Sequence, residues 1–192
     1  MRIVLTGGPG SVKTVISTAI ARTDCHRVAA VPEAATQVYS AAAARWDRVD
    51  LERKRELQRK IYELQIEQEE RIARENPGKI LLLDRGTVDG STYWPEGAAA
   101  YWDAMGTTLE KELARYHRVI LLQSAAAIGI YDGSQSNAVR FEDAAEAVAS
   151  DDTLARAWAG HPHIRRVAAR VLLAEKIAEV AAILEEAAGA AD

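Results

Sequence analysis

Five short apolar runs recur along the chain, and longer stretches with a helical pattern separate them. The runs are Ile3–Thr6, Arg27–Val31, Lys79–Asp84, Arg118–Gln123 and Ile164–Ala168. Strand-length apolar segments that alternate with helical segments are typical of a parallel sheet with helices on both faces. The pattern therefore predicts an α/β protein of three layers, in which helices flank a parallel five-stranded sheet.

Two stretches outside the apolar runs have a clear helical period. The first runs from about Asp50 to Arg74, and we interpret the many charged residues in it as a solvated face. Its apolar stripe consists of Leu57, Ile61, Leu64 and Ile72. The second runs from Val171 to Ala188. Its stripe consists of Leu172, Ile177, Val180 and Leu184.

Composition and charge narrow the possible classes of protein. A chain of 192 residues is long enough for one full core, so we expect residues 1–192 to form a single domain with a small lid. The net charge of −4 and the pI near 5.7 disfavour a protein that coats nucleic acid. No apolar run approaches the ~20 residues that span a bilayer, and no signal peptide precedes the first run. We therefore expect a cytoplasmic protein with no membrane partner.

A glycine-rich segment, here called the phosphate loop, follows the first apolar run. It consists of Gly7, Gly8, Pro9, Gly10, Ser11, Val12, Lys13 and Thr14. The segment matches the phosphate-binding pattern Gly, four residues, Gly, Lys, Ser or Thr, except that Val12 replaces the second glycine. We predict that its amides bind the phosphates of ATP, that Lys13 contacts the β- and γ-phosphates, and that the Thr14 hydroxyl binds Mg²⁺. An ordinary Gly/Pro turn between a strand and a helix is the alternative.

Val12 is the unusual residue of the phosphate loop. Glycine at that place allows a positive φ or a close approach of the backbone to phosphate, and a β-branched side chain opposes both. A strain of about 1–3 kcal/mol is expected if the loop keeps its shape. Val12 is therefore predicted to weaken nucleotide binding.

Polar residues follow two other apolar runs, and ligands of parallel sheets bind at the carboxyl ends of the strands. Asp84 and Arg85 follow the third run. Asp84 is suited to Mg²⁺ or to activating an acceptor hydroxyl, and Arg85 to neutralising phosphoryl charge. Simpler interpretations are a turn-forming aspartate and an ion pair of Arg85 with Asp89. Glu33 follows the second run and could accept a proton or bind a substrate hydroxyl, although acids also begin helices.

A polar stretch from Tyr131 to Glu142 follows the fourth run. Many phosphotransferases have a closing lid at this place, with an arginine that reaches the transferred phosphate. We predict a lid over about residues 125–142 with Arg140 as this arginine; a solvated loop with an Arg140–Glu142 pair is the alternative. His161 and His163, spaced by two, make a poor zinc site and favour a turn before the last strand.

Taken together, these segments resemble a family of P-loop ATP-binding proteins labelled AAA-like, which is similar to the ribosylnicotinamide kinase domain. The segments that carry the resemblance are residues 7–14, 31–35, 83–89, 93–94 and 137–142. The resemblance implies a nucleoside-kinase-like P-loop NTPase fold and a purine nucleotide on the phosphate loop. It also implies Asp84 and Arg85 at the phosphates, Glu33 and Asp89 along an acceptor cleft, and Arg140 in the lid.

Two positions depart from the family pattern, Val12 and Thr36, which stands where an arginine is usual. We expect an ATP- and Mg²⁺-dependent phosphotransferase for a small hydroxylated or nucleoside-like acceptor, with Lys13, Asp84, Arg85, Arg140 and Glu33 as its catalytic residues. A nucleotide-binding regulator with slow or no hydrolysis is the alternative, and a scaffold that no longer binds nucleotide is a third.

Overall fold

The apolar runs form the strands of one parallel sheet. The computed structural model describes residues 1–131 and 143–189. The strands are β1 (Arg2–Thr6), β2 (Val28–Val31), β3 (Ile80–Asp84), β4 (Arg118–Leu122) and β5 (Ile164–Val167). Their order across the sheet is β2-β3-β1-β4-β5, and every pairing is parallel. The predicted fold class is confirmed, and each strand ends within a residue of its predicted bounds.

Seven helices lie in the described part of the chain. They are α1 (Lys13–Thr23), α2 (Ala34–Ala41), α3 (Leu51–Glu75), α4 (Ala98–Met105), α5 (Leu109–Leu113), α6 (Ala144–Ala157) and α7 (Leu173–Gly189). Short 3₁₀ turns cover Thr87–Thr92 and Ala125–Ile128. None of the described helices combines the length and the hydropathy that a bilayer crossing requires.

The two faces of the sheet bury alternate residues of the same strands. Ile3 and Leu5 of β1 pack with α1 and α7, whereas Val4 packs on the opposite face, in a cluster with Ile72 of α3 and Trp158. Side chains of a strand point alternately to the two faces. The central strands β1, β3 and β4 are therefore apolar over most of their length because both faces are covered, which gives the three predicted layers. The edge strand β5 has the exposed Arg165 and Arg166 at its centre.

The long helix α3 differs little from the prediction, but the last helix begins later than predicted. The Asp50 carboxylate caps α3 by accepting a hydrogen bond from the Arg53 amide. Helix α7 begins at Leu173, and Leu172, which we had placed on its apolar stripe, precedes it with 59% of its surface exposed. The stripe is correct only further along, where Val180 and Leu184 are buried.

Candidate functional site

The phosphate loop connects β1 to α1 at the carboxyl edge of the sheet. Gly7 has a φ of 145°, and a Cβ there would lie 2.1 Å from the carbonyl oxygen of Leu122. At Gly10, with a φ of 75°, a Cβ would lie 2.5 Å from the ring of Tyr131. Both positions therefore need glycine, because the loop passes tightly between β1 and the segment that follows β4.

Val12 adopts the left-handed conformation that the missing glycine would have favoured. Its φ is 60° and its ψ is 29°, and it is the residue immediately before α1. A β-branched residue is strained there, because its Cβ crowds the backbone at positive φ. The loop therefore keeps the shape that its motif predicts, with the strained residue at the helix N-terminus.

The side chain of Lys13 is turned into the phosphate loop. Its Nζ donates hydrogen bonds to the carbonyl oxygens of Gly7 at 2.7 Å and Gly8 at 3.2 Å, and to the Ser11 hydroxyl at 2.8 Å. The residue is only 6% exposed. A positive charge is therefore held at the centre of the loop, beside the N-terminus of α1, and both favour an anion.

Thr14 and Asp84 meet beside Lys13, as predicted for two residues at the carboxyl edge of the sheet. The Thr14 hydroxyl donates to Asp84 Oδ2. The other oxygen of this carboxylate, Oδ1, is buried and has no hydrogen-bond partner among the described residues. Burial, and then the charge of Glu33, raise the pKa of Asp84 above its ordinary value.

The Thr14 hydroxyl oxygen and Oδ1 of Asp84 fit the Mg²⁺ ion that the motif implies. Mg²⁺ at phosphate sites is usually held by one or two protein groups together with phosphates and water. In residues 1–131 and 143–189, no group of three or more His, Cys, Asp or Glu side chains could hold a metal ion by itself. Thr14 and Asp84 would therefore hold the ion together with the nucleotide.

Arg85 lies between two carboxylates. Its Nε donates to Glu33 Oε1 at 2.6 Å, and its Nη1 donates to Asp89 Oδ2 at 2.9 Å. Burial works to lower the pKa of Arg85, but Tyr93, Glu33 and Asp89 together hold it well above its ordinary value. The predicted pair with Asp89 is present, and Glu33 is a second partner that sequence reasoning did not pair with Arg85.

The start of α2 explains the position of Glu33. Glu33 precedes the first residue of α2, as the alternative interpretation expected, but its carboxylate turns toward the strand ends. Thr36 donates its hydroxyl to Glu33 Oε2. The threonine that replaces the family arginine therefore orients this carboxylate.

Asp89 accepts hydrogen bonds from three directions. Besides Arg85, the Thr6 hydroxyl donates to it at 2.9 Å and the Trp158 indole Nε1 donates at 2.6 Å. Asp89 is 2% exposed. It joins the end of β1 to the end of α6 and fixes the position of Arg85.

A cleft opens next to these three charged residues, and we call it the aromatic cleft. It holds about 750 Å³ of space when the open solvent at its mouth is counted. Its side walls are lined by the rings of Tyr39, Trp46, Tyr62, Tyr93 and Tyr101, and by the amides of Gln58 and Gln65. Glu33, Arg85 and Asp89 also line it.

Sequence reasoning missed most of this lining. Trp94, Trp102 and Trp158 are candidates for an aromatic wall, although packing is the commoner use of such rings. Trp94 and Trp158 are buried at 6% and 0% exposure, and Trp102 packs against the core. A signal was present in α3, where Gln58, Tyr62 and Gln65 recur at spacings of four and three on one face.

Two further residues contact the phosphate loop from α6 and α7, and the sequence did not indicate them. Asp151 accepts a hydrogen bond from the Gly8 amide, and Lys176 donates one to the Ser11 carbonyl. Neither belongs to a recognisable motif. Arg140, Glu142 and the main part of the predicted lid lie outside the described residues.

Hydrogen bonds within the fold explain the positions of His161 and His163. The Nε2 atom of His161 lies 3.0 Å from the Tyr116 carbonyl oxygen, and its Nδ1 accepts from the His163 amide. His161 thus belongs to the turn that precedes β5.

The chain matches a family model and shares its fold with solved kinase structures. A model described as an AAA domain matches residues 2–176. Deoxyadenosine kinase from M. mycoides, with the products dCMP and a flexible dCDP bound, has a TM-score of 0.67 at 12% identity, over 97% of this chain and 100% of that one. The same kinase with bound dATP has a TM-score of 0.57 at 15% identity, over 96% and 99% of the two chains.

A third structure, NadR in complex with NAD and AMP-PNP, has a TM-score of 0.59 at 13% identity. The match covers 96% of this chain but 48% of that one, so this chain corresponds to about half of NadR. No curated protein matches the chain. At these identities the structural likeness establishes the fold.

Proposed function

Because the chain belongs to the AAA domain family of P-loop proteins, as its motifs predicted, we propose that it is a Mg²⁺-dependent phosphotransferase. It uses ATP, and its acceptor is a small hydroxylated or nucleoside-like metabolite. The observation that carries this proposal is the aromatic cleft, which is lined by Arg85 and Asp89. Asp89 accepts a hydrogen bond from Thr6, the residue that precedes the phosphate loop. A protein that only hydrolysed ATP would need water at this place and no second cleft.

The nucleotide half of the proposal rests on the phosphate loop and its neighbours. Lys13 lies within the loop, and the Thr14 hydroxyl meets the Asp84 carboxylate next to it. We infer that the loop amides and Lys13 bind the triphosphate. Thr14 and Asp84 would hold Mg²⁺, which supplies charge neutralisation at the phosphates when it is bound.

The acceptor half rests on the charged residues of the cleft. Phosphoryl transfer depends chiefly on positioning and on electrostatic stabilisation. Glu33 is held by both Arg85 and Thr36, so its carboxylate is positioned to bind an acceptor hydroxyl. Asp84 would accept the hydroxyl proton only if Thr14 and the phosphates hold Mg²⁺ without it, because a bound cation lowers the pKa of a carboxyl group.

Arginines would offset charge as the phosphoryl group moves. Arg85 is close to this path but shares its charge with Glu33 and Asp89. We assign the main part of this role to Arg140, on sequence grounds. Since both of these carboxylates line the cleft and Arg85 is bound to them, the cleft favours an uncharged or cationic acceptor over a phosphorylated one.

The comparisons support a nucleoside-like acceptor. Deoxyadenosine kinase, which has the same fold, holds dCMP as a product. The flat rings of Tyr93 and Trp46 at the aromatic cleft are suited to stack on a planar base. The acceptor proposed here is therefore a nucleoside or a similar ring with a free hydroxyl.

One observation favours a second candidate, a nucleotide-binding regulator. Val12 has a φ of 60°, which is strained for a β-branched residue, so the loop is expected to bind ATP weakly and to turn it over slowly. A regulator would release ADP at the same rate with or without an acceptor.

A screen for acceptor-dependent ADP release tests the proposal. The purified protein is supplied with ATP and Mg²⁺ and with a panel of nucleosides and other hydroxylated metabolites. At least one compound should stimulate ADP release, and Lys13→Ala should lower the stimulated rate by roughly 100-fold or more while the protein stays folded. Lys79→Ala is the matched control, because Lys79 bonds a carbonyl oxygen at the other edge of the sheet.

Two outcomes would overturn the assignment. Stimulated turnover that survives Lys13→Ala would remove this lysine from its role. ADP release that no acceptor changes would favour the regulator.

A further inference from the structure

The strained conformation of Val12 requires support from outside the phosphate loop. Strained backbone persists only where the surrounding structure over-determines it. A loop that is free to relax would let Val12 leave the left-handed region, since a β-branched residue avoids it. Two side chains from other elements, Lys176 and Asp151, hold the loop.

Lys176 of α7 holds the peptide group that precedes Val12. Its Nζ donates to the Ser11 carbonyl oxygen at 3.1 Å and to the Gln123 carbonyl oxygen, just after β4, at 2.7 Å. The residue is 3% exposed. The Ser11 carbonyl belongs to the peptide plane whose rotation about the Val12 N–Cα bond is φ, so a bond to this oxygen restrains that φ.

Asp151 of α6 holds the other side of the phosphate loop. Its Oδ1 accepts from the Gly8 amide at 2.6 Å, and its Oδ2 accepts from the Ser124 amide at 2.7 Å. Like Lys176, it connects the loop to the segment that follows β4. The two side chains therefore fix the start and the middle of the loop against the same neighbouring strand.

Burial disfavours the charged forms of both Asp151 and Lys176. Burial raises the pKa of Asp151 and lowers the pKa of Lys176 to about 8. Charged groups that are held out of water on main-chain partners cost stability unless those bonds compensate. We interpret the position of Asp151 and Lys176 beside a strained loop as maintaining the shape of that loop.

We propose that Asp151 and Lys176 are positioning residues, together called the loop brace, which hold the phosphate loop in its ATP-binding shape against the strain at Val12. The ligand in this statement rests on the proposed function. The brace itself rests on the contacts of Gly8, Ser11, Ser124 and Gln123. It predicts that the need for the brace disappears when residue 12 is a glycine.

A double-mutant cycle measures this dependence. Lys176→Met and Asp151→Asn are each expected to weaken ATP binding about tenfold, because the binding-competent fraction of the loop falls. In a Val12→Gly background the same changes should weaken it by about twofold or less, since glycine populates positive φ without strain. Isothermal titration gives these dissociation constants, with Lys79→Met and Asp152→Asn as matched controls that keep wild-type affinity.

A loss that is the same in both backgrounds would overturn the proposal, because a general structural role does not depend on residue 12. Full affinity in both brace variants would overturn it as well. Asp152 neighbours Asp151 on α6 and is exposed. The Asp152→Asn variant therefore separates the loss of the brace from the loss of a negative charge on α6.

Amide hydrogen exchange in the ligand-free protein tests the brace without ATP. Lys176→Met should speed exchange of the Gly8 amide, which Lys176 does not hold, by about tenfold, because the whole loop relaxes. Val12→Gly should restore the slow exchange. Unchanged Gly8 exchange in Lys176→Met would contradict the brace even if ATP binds. Absence of ATP binding to the wild-type protein would contradict the proposed function and leave this experiment valid.

Discussion

The phosphate loop and the aromatic cleft use charge in opposite ways. Around the loop, Asp151 and Lys176 are bound to main-chain amides and carbonyls. At the cleft, Arg85 is bound to the side chains of Glu33 and Asp89. The pKa of Lys176 is consequently lowered, to about 8, whereas the pKa of Arg85 is raised.

This difference indicates what each region can do. Charges that bond to the main chain control the shape of the backbone, and a phosphate loop binds through its backbone. Charges that bond to one another control the position of side-chain groups, and an acceptor is recognised by side chains. A partner dipole compensates burial less well than an opposite charge does, which explains the opposite pKa shifts.

The largest effect is expected at the cleft. Arg85→Met leaves the buried carboxylates of Glu33 and Asp89 without their cation, and removing one partner of a buried ion pair costs about 3–5 kcal/mol. Urea denaturation should show this loss in the free energy of unfolding. Arg55→Met, which breaks the surface pair with Glu96, is the control and should change stability little. A stable Arg85→Met protein would mean that the carboxylates are already protonated or hydrated.

A smaller effect is expected at the phosphate loop. Val12→Gly relieves a strain of about 1–3 kcal/mol, and ATP should bind more tightly, up to roughly 5- to 150-fold, to the extent that the strain keeps the free loop out of its binding shape in spite of the loop brace. Titration of both proteins with ATP and Mg²⁺ measures the ratio. Equal dissociation constants would show that strain at this residue does not lower the binding-competent fraction of the loop.

The smallest effect concerns the pH dependence of stability. Lys176 has a pKa of about 8 in the folded protein, below its ordinary value of 10.5. Between these values the unfolded chain binds more protons, so the free energy of unfolding rises with pH over this window. The rise due to Lys176 should be about 1 kcal/mol, less than the full shift implies, because the amine retains part of its solvation.

Comparison of Lys176→Met with the wild-type protein isolates this contribution. Thermal unfolding from pH 8 to pH 10 should show a shallower increase in the variant. Parallel curves for the two proteins would mean that this amine titrates normally and is not desolvated by the loop.

The fold was predictable because both faces of the sheet are covered. A strand such as Ile80-Leu81-Leu82-Leu83 is apolar at every position, and few other structures require such a run. The start of α7 was not predictable in the same way. Leu172 has the right spacing for the apolar stripe but lies in the connection from β5, and only the position of β5 decides where the helix begins.

The residues of the candidate site also fall into two groups, those that the sequence predicts and those that it does not. The phosphate loop, Thr14 and Asp84 were predictable because they lie in contiguous motifs or at strand ends, and parallel strands bring those ends together. Glu33 and Arg85 were singled out separately, but their bond joins residues 52 positions apart. Asp151, Lys176 and the aromatic rings come from five helices and two connecting segments, and no local pattern records which of their faces meet.

Helix α6 gives the molecule a mechanical property that neither half of the site has alone. Asp151, in its third turn, is bonded to Gly8, and Trp158, which follows its last residue, is bonded to Asp89. The helix is thus fastened both to the phosphate loop and to Asp89 at the aromatic cleft. Under the proposed function, a shift of α6 as a rigid rod would displace the ATP site and the acceptor site together, so substitutions on its outer surface should alter the two affinities in parallel.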